Sequence, residues 1–155
     1  MSKLETVAQV GENEALKRTI ARLNASEHAL VGPGDDSAVI ASPDGRFTVT
    51  TDTLIEGHDF KLDWSSAYDL GWKAVASNIA DVAAMGAVPT SLVVALTVPG
   101  HTEVSWLEHF ADGLKAACVN LAPGCGVVGG DLASSEQVMI SVAAHGSLEG
   151  REPVL

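Results

Sequence analysis

A chain of 155 residues that is 46% apolar and only 19% charged is expected to fold as one globular domain with a proper core. Its formal charge of −11 and pI near 4.6 leave no basic face for nucleic acid or an anionic membrane surface, so neither is expected as a partner. A phosphorylated ligand would need metal cations as intermediaries. Cys118 and Cys125 form no CxxC pattern and read as reduced thiols. With no leader-like opening segment and no apolar run near eighteen residues, the expected compartment is the cytoplasm.

In chain order, a helix is predicted from about Asn13 to Leu23, with Asn13 as N-cap and Leu16, Ile20 and Leu23 on one face. After "GPG" at 32–34 come two short strands, Ser37–Ala41 and Arg46–Thr51. They read as a hairpin, because Pro43 in the intervening "SPDG" presets φ and Gly45 accepts positive φ. A long helix is predicted over about Ala67–Met85, with Tyr68, Trp72, Val75, Ile79 and Val82 as its stripe and Gly86 and Pro89 as its stop. "SLVVALTV" at 91–98 reads as a strand buried on both faces. A second long helix is predicted to begin near Ser105, where "SWLE" matches a capping box. Its stripe is Leu107, Phe110, Leu114, Ala117 and Leu121. "GVVGGD" and "VMISVAAHGSL" supply two more strands. Hairpins and crossovers both occur, which favours an α+β or mixed α/β layer fold. Neither GxxxxGK[ST] nor GxGxxG is present, so the usual phosphate loops are excluded.

Chemistry is suggested by where the aspartates fall. "GDDSAV" places Asp35 and Asp36 just before a strand, and no Lys or Arg lies between Arg22 and Arg46 to balance them. "VTTDTL" puts Asp52 at a strand end, "NIADVAAMGA" puts Asp81 on the long helix, and "VVGGDLASS" puts Asp131 after a glycine pair. Each has an ordinary reading as a turn residue, a cap or, for Asp81, a solvated carboxylate opposite the helix stripe. Together they suggest a site for a hard cation, which takes carboxylate oxygens and is completed by substrate phosphates. Thr50 and Thr51 could add oxygens, and Gly129 and Gly130 would let phosphates approach the backbone. That reading requires Asp36, Asp52, Asp81 and Asp131 to be gathered into one pocket. A Ca²⁺-binding module is the weaker rival, since no D-x-[DN]-x-[DN]-G loop appears.

In order and spacing, "GDDSAVI", "VTTDTLIEG", "KAVASNIADVAAMGAVP" and "VGGDLASS" resemble the thiamine-monophosphate kinases, of the aminoimidazole-ribonucleotide-synthetase-like superfamily of ATP-using proteins. Aminoimidazole ribonucleotide synthetase itself would have a "DGVGTK"-like segment where this chain has "TDTLIEG". Selenophosphate synthetase would have a reactive Cys or selenocysteine near the N-terminus. The resemblance implies phosphoryl transfer from ATP to thiamine monophosphate with Mg²⁺. It assigns Asp36, Thr50, Thr51, Asp52, Asp81 and Asp131 to the metals, Gly129, Gly130 and Asp131 to the nucleotide, and Asp59 to the substrate. The family has His where Asp59 stands, and here the preceding residue is His58. The implied fold is α+β, with a mixed, mostly antiparallel sheet packed by helices on one face. That sheet would pair across a homodimer to form a barrel. Residues 1–155 correspond to the family's N-terminal ATP- and Mg²⁺-binding domain. The expectation is of a fragment without the C-terminal domain, inactive alone, with a catalytically silent nucleotide-binding dimerisation module, or another ATP-using member of the same superfamily, as the alternative function.

Overall fold

The computed structural model describes residues 5–34 and 37–155. A four-stranded sheet in the order β3-β6-β4-β5 is formed by β3 (Thr48–Ile55), β4 (Val88–Val98), β5 (Gly126–Ser134) and β6 (Met139–Ser147). Only the β4–β5 pair is parallel, joined by a helical crossover; the other two pairs are antiparallel. The mixed α+β class with a mostly antiparallel sheet is therefore as expected.

Helices α3 (Ala67–Ala84) and α4 (Val104–Leu121) pack on one face of this sheet. The core is built on that face. Leu54, Ile140, Leu96 and Leu132 form a buried row across all four strands. Phe110, Leu107, Leu70 and Val75 cover it from the helices. The two helices touch backbone to backbone. A Cβ built on Gly113 would lie 2.9 Å from the Tyr68 carbonyl carbon, and one on Gly71 would lie 2.8 Å from the Leu114 nitrogen. Ordinary carbon contacts start near 3.4 Å, so only glycine permits this crossing. Ser66 caps α3: its hydroxyl accepts the Asp69 N–H at 3.2 Å while Asp69 accepts the Ser66 N–H at 3.0 Å.

Several sequence expectations are corrected. The helix expected from Asn13 is α2 (Glu12–Ile20), capped by Gly11 rather than Asn13, because a short α1 (Val7–Val10) precedes it and Gly11 makes the corner at φ +83°. The hairpin from 37 to 51 does not form. Instead β2 (Val39–Ile40) pairs with β1 (Ala29–Val31), while β3 pairs along its whole length with β6. The "SPDG" turn exists, with Gly45 at φ +72°, but it carries the chain between two sheets. A turn fixes local direction; the partner able to pair eight residues decides the register. Pro89 lies within β4 rather than stopping α3, and the pairing with β6 shifts there. Helix α4 starts at Val104 with Glu103 as cap, and the "SWLE" box is not made, since Val104 N–H is drawn to Glu5 O at 2.9 Å. Finally, 91–98 is covered on one face only: Ala95 is exposed while Leu92, Val94 and Leu96 are buried.

Cys118 and Cys125 are free and fully buried. Hydrogen bonding to Cys118 and burial push the Cys125 thiol up, keeping it protonated. No helix among the described residues is long and apolar enough to cross a membrane.

Candidate active site

Strand alternation sorts the expected metal residues by face. Thr50 and Asp52 lie on the helix-covered side with Leu54, whereas Thr51 and Thr53 point to the open side. Across the sheet, Asp131 is in register with Ala95, Ser141 and Thr53, which places it on the open face. β3 and β5 are opposite edges of the sheet. Three interstrand spacings of about 4.8 Å separate Asp52 from Asp131 by about 14 Å.

Two groups of site residues result. The first lies where α3 runs past β3: Thr50 Oγ1 is 3.5 Å from Asp81 Oδ2, at the outer limit of a hydrogen bond. Both line a hollow of about 470 Å³ with Thr48 and Met85. The Thr48 hydroxyl is buried against Gly146 with no hydrogen-bond partner. Asp52 accepts the Thr53 N–H at 2.9 Å through Oδ1. Thr51, also expected among the metal ligands, donates its hydroxyl proton to Val142 O at 2.9 Å.

The second group is centred on β5. Gly129, Gly130 and Asp131 line both an open-face cleft of about 660 Å³ and a helix-side cavity of about 360 Å³. The two glycines differ in role. A Cβ on Gly129 would meet nothing within 4 Å, so its missing side chain leaves open space. At Gly130 a Cβ would collide with the backbone of Val94, so the β4–β5 pairing itself demands glycine there. Asp36 lies outside the described residues; Ser37 and Ala38, after it, line both cavities with Asp131.

Among the described residues, no three His, Cys, Asp or Glu side chains lie together as a metal-holding cluster. Asp52, Asp81 and Asp131 make no ion pair with a described cation. The expected gathering into one pocket is thus not made by the described part of a single chain. The donors present are nevertheless all oxygens, from carboxylates and hydroxyls. That chemistry suits a hard cation such as Mg²⁺.

Asp59, expected at the substrate, is held by its own loop. Its Oδ2 accepts the Ile55 N–H at 2.8 Å and its Oδ1 meets His58 Nδ1 at 3.0 Å, while Lys73 Nζ donates to its carbonyl at 2.8 Å. The Ile55 N–H, then His58, hold its carboxyl below the usual range. Both oxygens are committed to the loop, and His58 is the outward-facing member of the pair, 83% exposed. Sequence reading passed over Thr48 and the cleft residues Phe47 and His145, whose rings lie 6.1 Å apart. No local motif marks them.

Residues 34–148 match the family described as AIR synthase related protein, N-terminal domain, and the chain belongs to that family. It is 41% identical over 150 residues to a thiamine-monophosphate kinase of Mycobacterium tuberculosis, covering 97% of this chain and 44% of that protein. The thiamine-monophosphate kinase structure from Stenotrophomonas maltophilia K279a superposes with TM-score 0.68 at 34% identity, covering 86% of this chain and 40% of that one. AaThiL complexed with AMPPCP and TMP superposes with TM-score 0.63 at 38% identity, over 72% of this chain and 35% of that one. The chain spans less than half the length of the curated relatives it matches.

Proposed function

We propose that this chain is the nucleotide- and metal-binding part of a cytoplasmic enzyme that transfers a phosphoryl group from ATP to thiamine monophosphate. The observation that carries the reading is the meeting of Thr50 with Asp81, in a chain 41% identical to such a kinase over 97% of its length. A phosphate acceptor is already largely ionised at neutral pH and needs no general base. The barrier is repulsion between two polyanions: like unit charges ~4 Å apart cost about 4 kcal/mol at an effective dielectric of ~20. Asp36, Asp52, Asp81 and Asp131, with Thr50 and Thr51, would hold Mg²⁺, which when bound neutralises that charge. Gly129 gives the nucleotide phosphates room beside β5. Asp59 fixes the substrate-side loop rather than touching substrate directly.

We also infer a homodimer. Among the described residues the sheet ends in two edge strands, β3 and β5, and has a partly open face on which Val49 is 61% exposed. A second copy laid against that face would close a barrel and bring β3 of one chain beside β5 of its partner. Asp52 and Asp131, about 14 Å apart within a chain, would then stand on adjacent strands across the interface, Asp52 towards the helices and Asp131 towards the barrel interior.

Calorimetry with ATP tests both points. Binding should require Mg²⁺ and fall at least tenfold, roughly, in each of Asp52→Asn, Asp81→Asn and Asp131→Asn, which remove a charged ligand. Mixing the Asp52→Asn and Asp131→Asn chains should restore one intact site per mixed dimer. ATP binding indifferent to Mg²⁺ would sink the kinase reading; failure of the mixture to recover, or a monomeric mass by light scattering, would sink the shared site.

A further inference from the structure

After β6 the chain passes the turn that precedes β3 and returns to the end of α3, and one side chain ties that path together. Arg46, two residues before β3, is fixed by its own turn. Ser42 Oγ donates to its carbonyl at 3.0 Å, and Asp44 Oδ1 accepts its N–H at 3.1 Å. Its guanidinium donates through Nη2 to Asp44 Oδ2 at 3.2 Å and to Arg151 O at 3.1 Å. Nη1 stands 3.5 Å from Glu152 Oε1, and Asp44 Oδ2 also accepts the Gly150 N–H at 3.2 Å. Further along, Val154 N–H donates to Met85 O at 3.1 Å, and the Val154 side chain packs against Gly86.

Segment 148–154 is thus a strap between the two elements that bring Thr50 and Asp81 together. The end of α3 needs such a brace. Met85 N–H reaches Asp81 O at 3.4 Å, long beside the usual ~2.9–3.0 Å. Carbonyls at a helix end have no partner within the helix, and Val154 N–H takes one of them. Met85 also lines the hollow that holds Thr50 and Asp81, so a displaced last turn is felt at that pair. The Arg46 side chain is 43% exposed, and ion pairs so exposed add little to global stability. What the strap fixes is position.

We propose that Arg46 is a positioning residue for the Thr50–Asp81 pair: through segment 148–154 it holds the end of α3 at the distance from β3 that a divalent cation requires. The proposal rests on the reading of that pair as part of a Mg²⁺ site and adds to it a residue that acts through Met85 rather than as a ligand. It carries its own signature. A slack strap spoils the spacing of the ligands, so Mg²⁺ capture weakens, and excess Mg²⁺ makes up the loss.

Arg46 also lines the open-face cleft, so a second variant cuts the strap at its other end. Val154→Pro removes the N–H that holds Met85 O and leaves the cleft untouched. Calorimetry measures ATP binding across a series of Mg²⁺ concentrations, with thermal unfolding confirming that each variant folds. Arg46→Met and Val154→Pro should each raise the Mg²⁺ concentration for half-maximal ATP binding about threefold. Combined, they should again give about threefold rather than about ninefold, because either change releases the same restraint. At saturating Mg²⁺ all three variants should bind ATP like wild type, which a general loss of structure would not permit. The proposal is overturned if either single variant leaves the Mg²⁺ requirement unchanged, if the two effects multiply, or if ATP affinity stays reduced at saturating Mg²⁺. Asp81→Asn separates the two readings. If it raises the Mg²⁺ requirement and the strap variants do not, the site reading stands and the strap falls. If wild type binds ATP without Mg²⁺, both fall.

Discussion

Replacing Gly113 by alanine sets two well-measured effects against each other. Gly113 lies inside α4, where alanine is intrinsically favoured over glycine by about 1 kcal/mol. The added methyl, however, would sit 2.9 Å from the Tyr68 carbonyl carbon and 3.0 Å from its Cα. The Tyr68 carbonyl oxygen is closer still, and ordinary contact begins near 3.4 Å, so α3 and α4 must part by more than half an ångström along their line of closest approach. The obstacle is backbone, which has no rotamer to give. The cost therefore belongs near the top of the 1–3 kcal/mol range, roughly, for overpacking. The net expectation is a loss of about 2 kcal/mol, or a fall in melting temperature of roughly 4–8 °C for a chain of this size. Urea and thermal unfolding measure it. Because α3 also carries Asp81, whose Oδ2 is 3.5 Å from Thr50, Mg²⁺-dependent ATP binding should weaken in parallel. A Gly113→Ala chain as stable as wild type, or more stable, would refute the close-crossing argument and leave helix propensity in charge.

Ile140 is fully buried in the four-strand row, so Ile140→Ala should cost about 3–4 kcal/mol in urea unfolding. Ser66→Ala removes the α3 cap and should cost about 1 kcal/mol, most of it recovered by Ser66→Thr. The Asp59 carboxyl has a lowered folded pKa because of the Ile55 N–H and His58. Its contribution to loop order is therefore fully present above about pH 4, the unfolded value, and is lost as pH falls through the folded value. Amide exchange at Ile55, followed down the pH scale, should lose protection only in that acidic window and should already be unprotected at neutral pH in Asp59→Ala.

Much of the fold is legible from local rules. The apolar period of α3 and α4, the breadth of "SLVVALTV" and the turn chemistry of "SPDG" each depend on residues near in sequence. Those elements appear close to where they are expected. The hairpin failed because register is settled by long-range pairing: β3 finds β6 about ninety positions away, and no local signal near Arg46–Thr51 encodes that. The candidate site divides the same way. The chain order alone singles out Thr50, Asp52, Asp81 and Asp131 as oxygen donors without cationic partners, since ligand chemistry is written in side-chain type. Which of them can touch is another matter. Alternation along β3 and β5, the strand order that sets those two at opposite edges, and the Gly71–Gly113 crossing that seats α3 decide that Asp81 reaches Thr50 while Asp131 faces away. Those distances arise only once the sheet is assembled, because they depend on contacts between residues that the sequence keeps far apart.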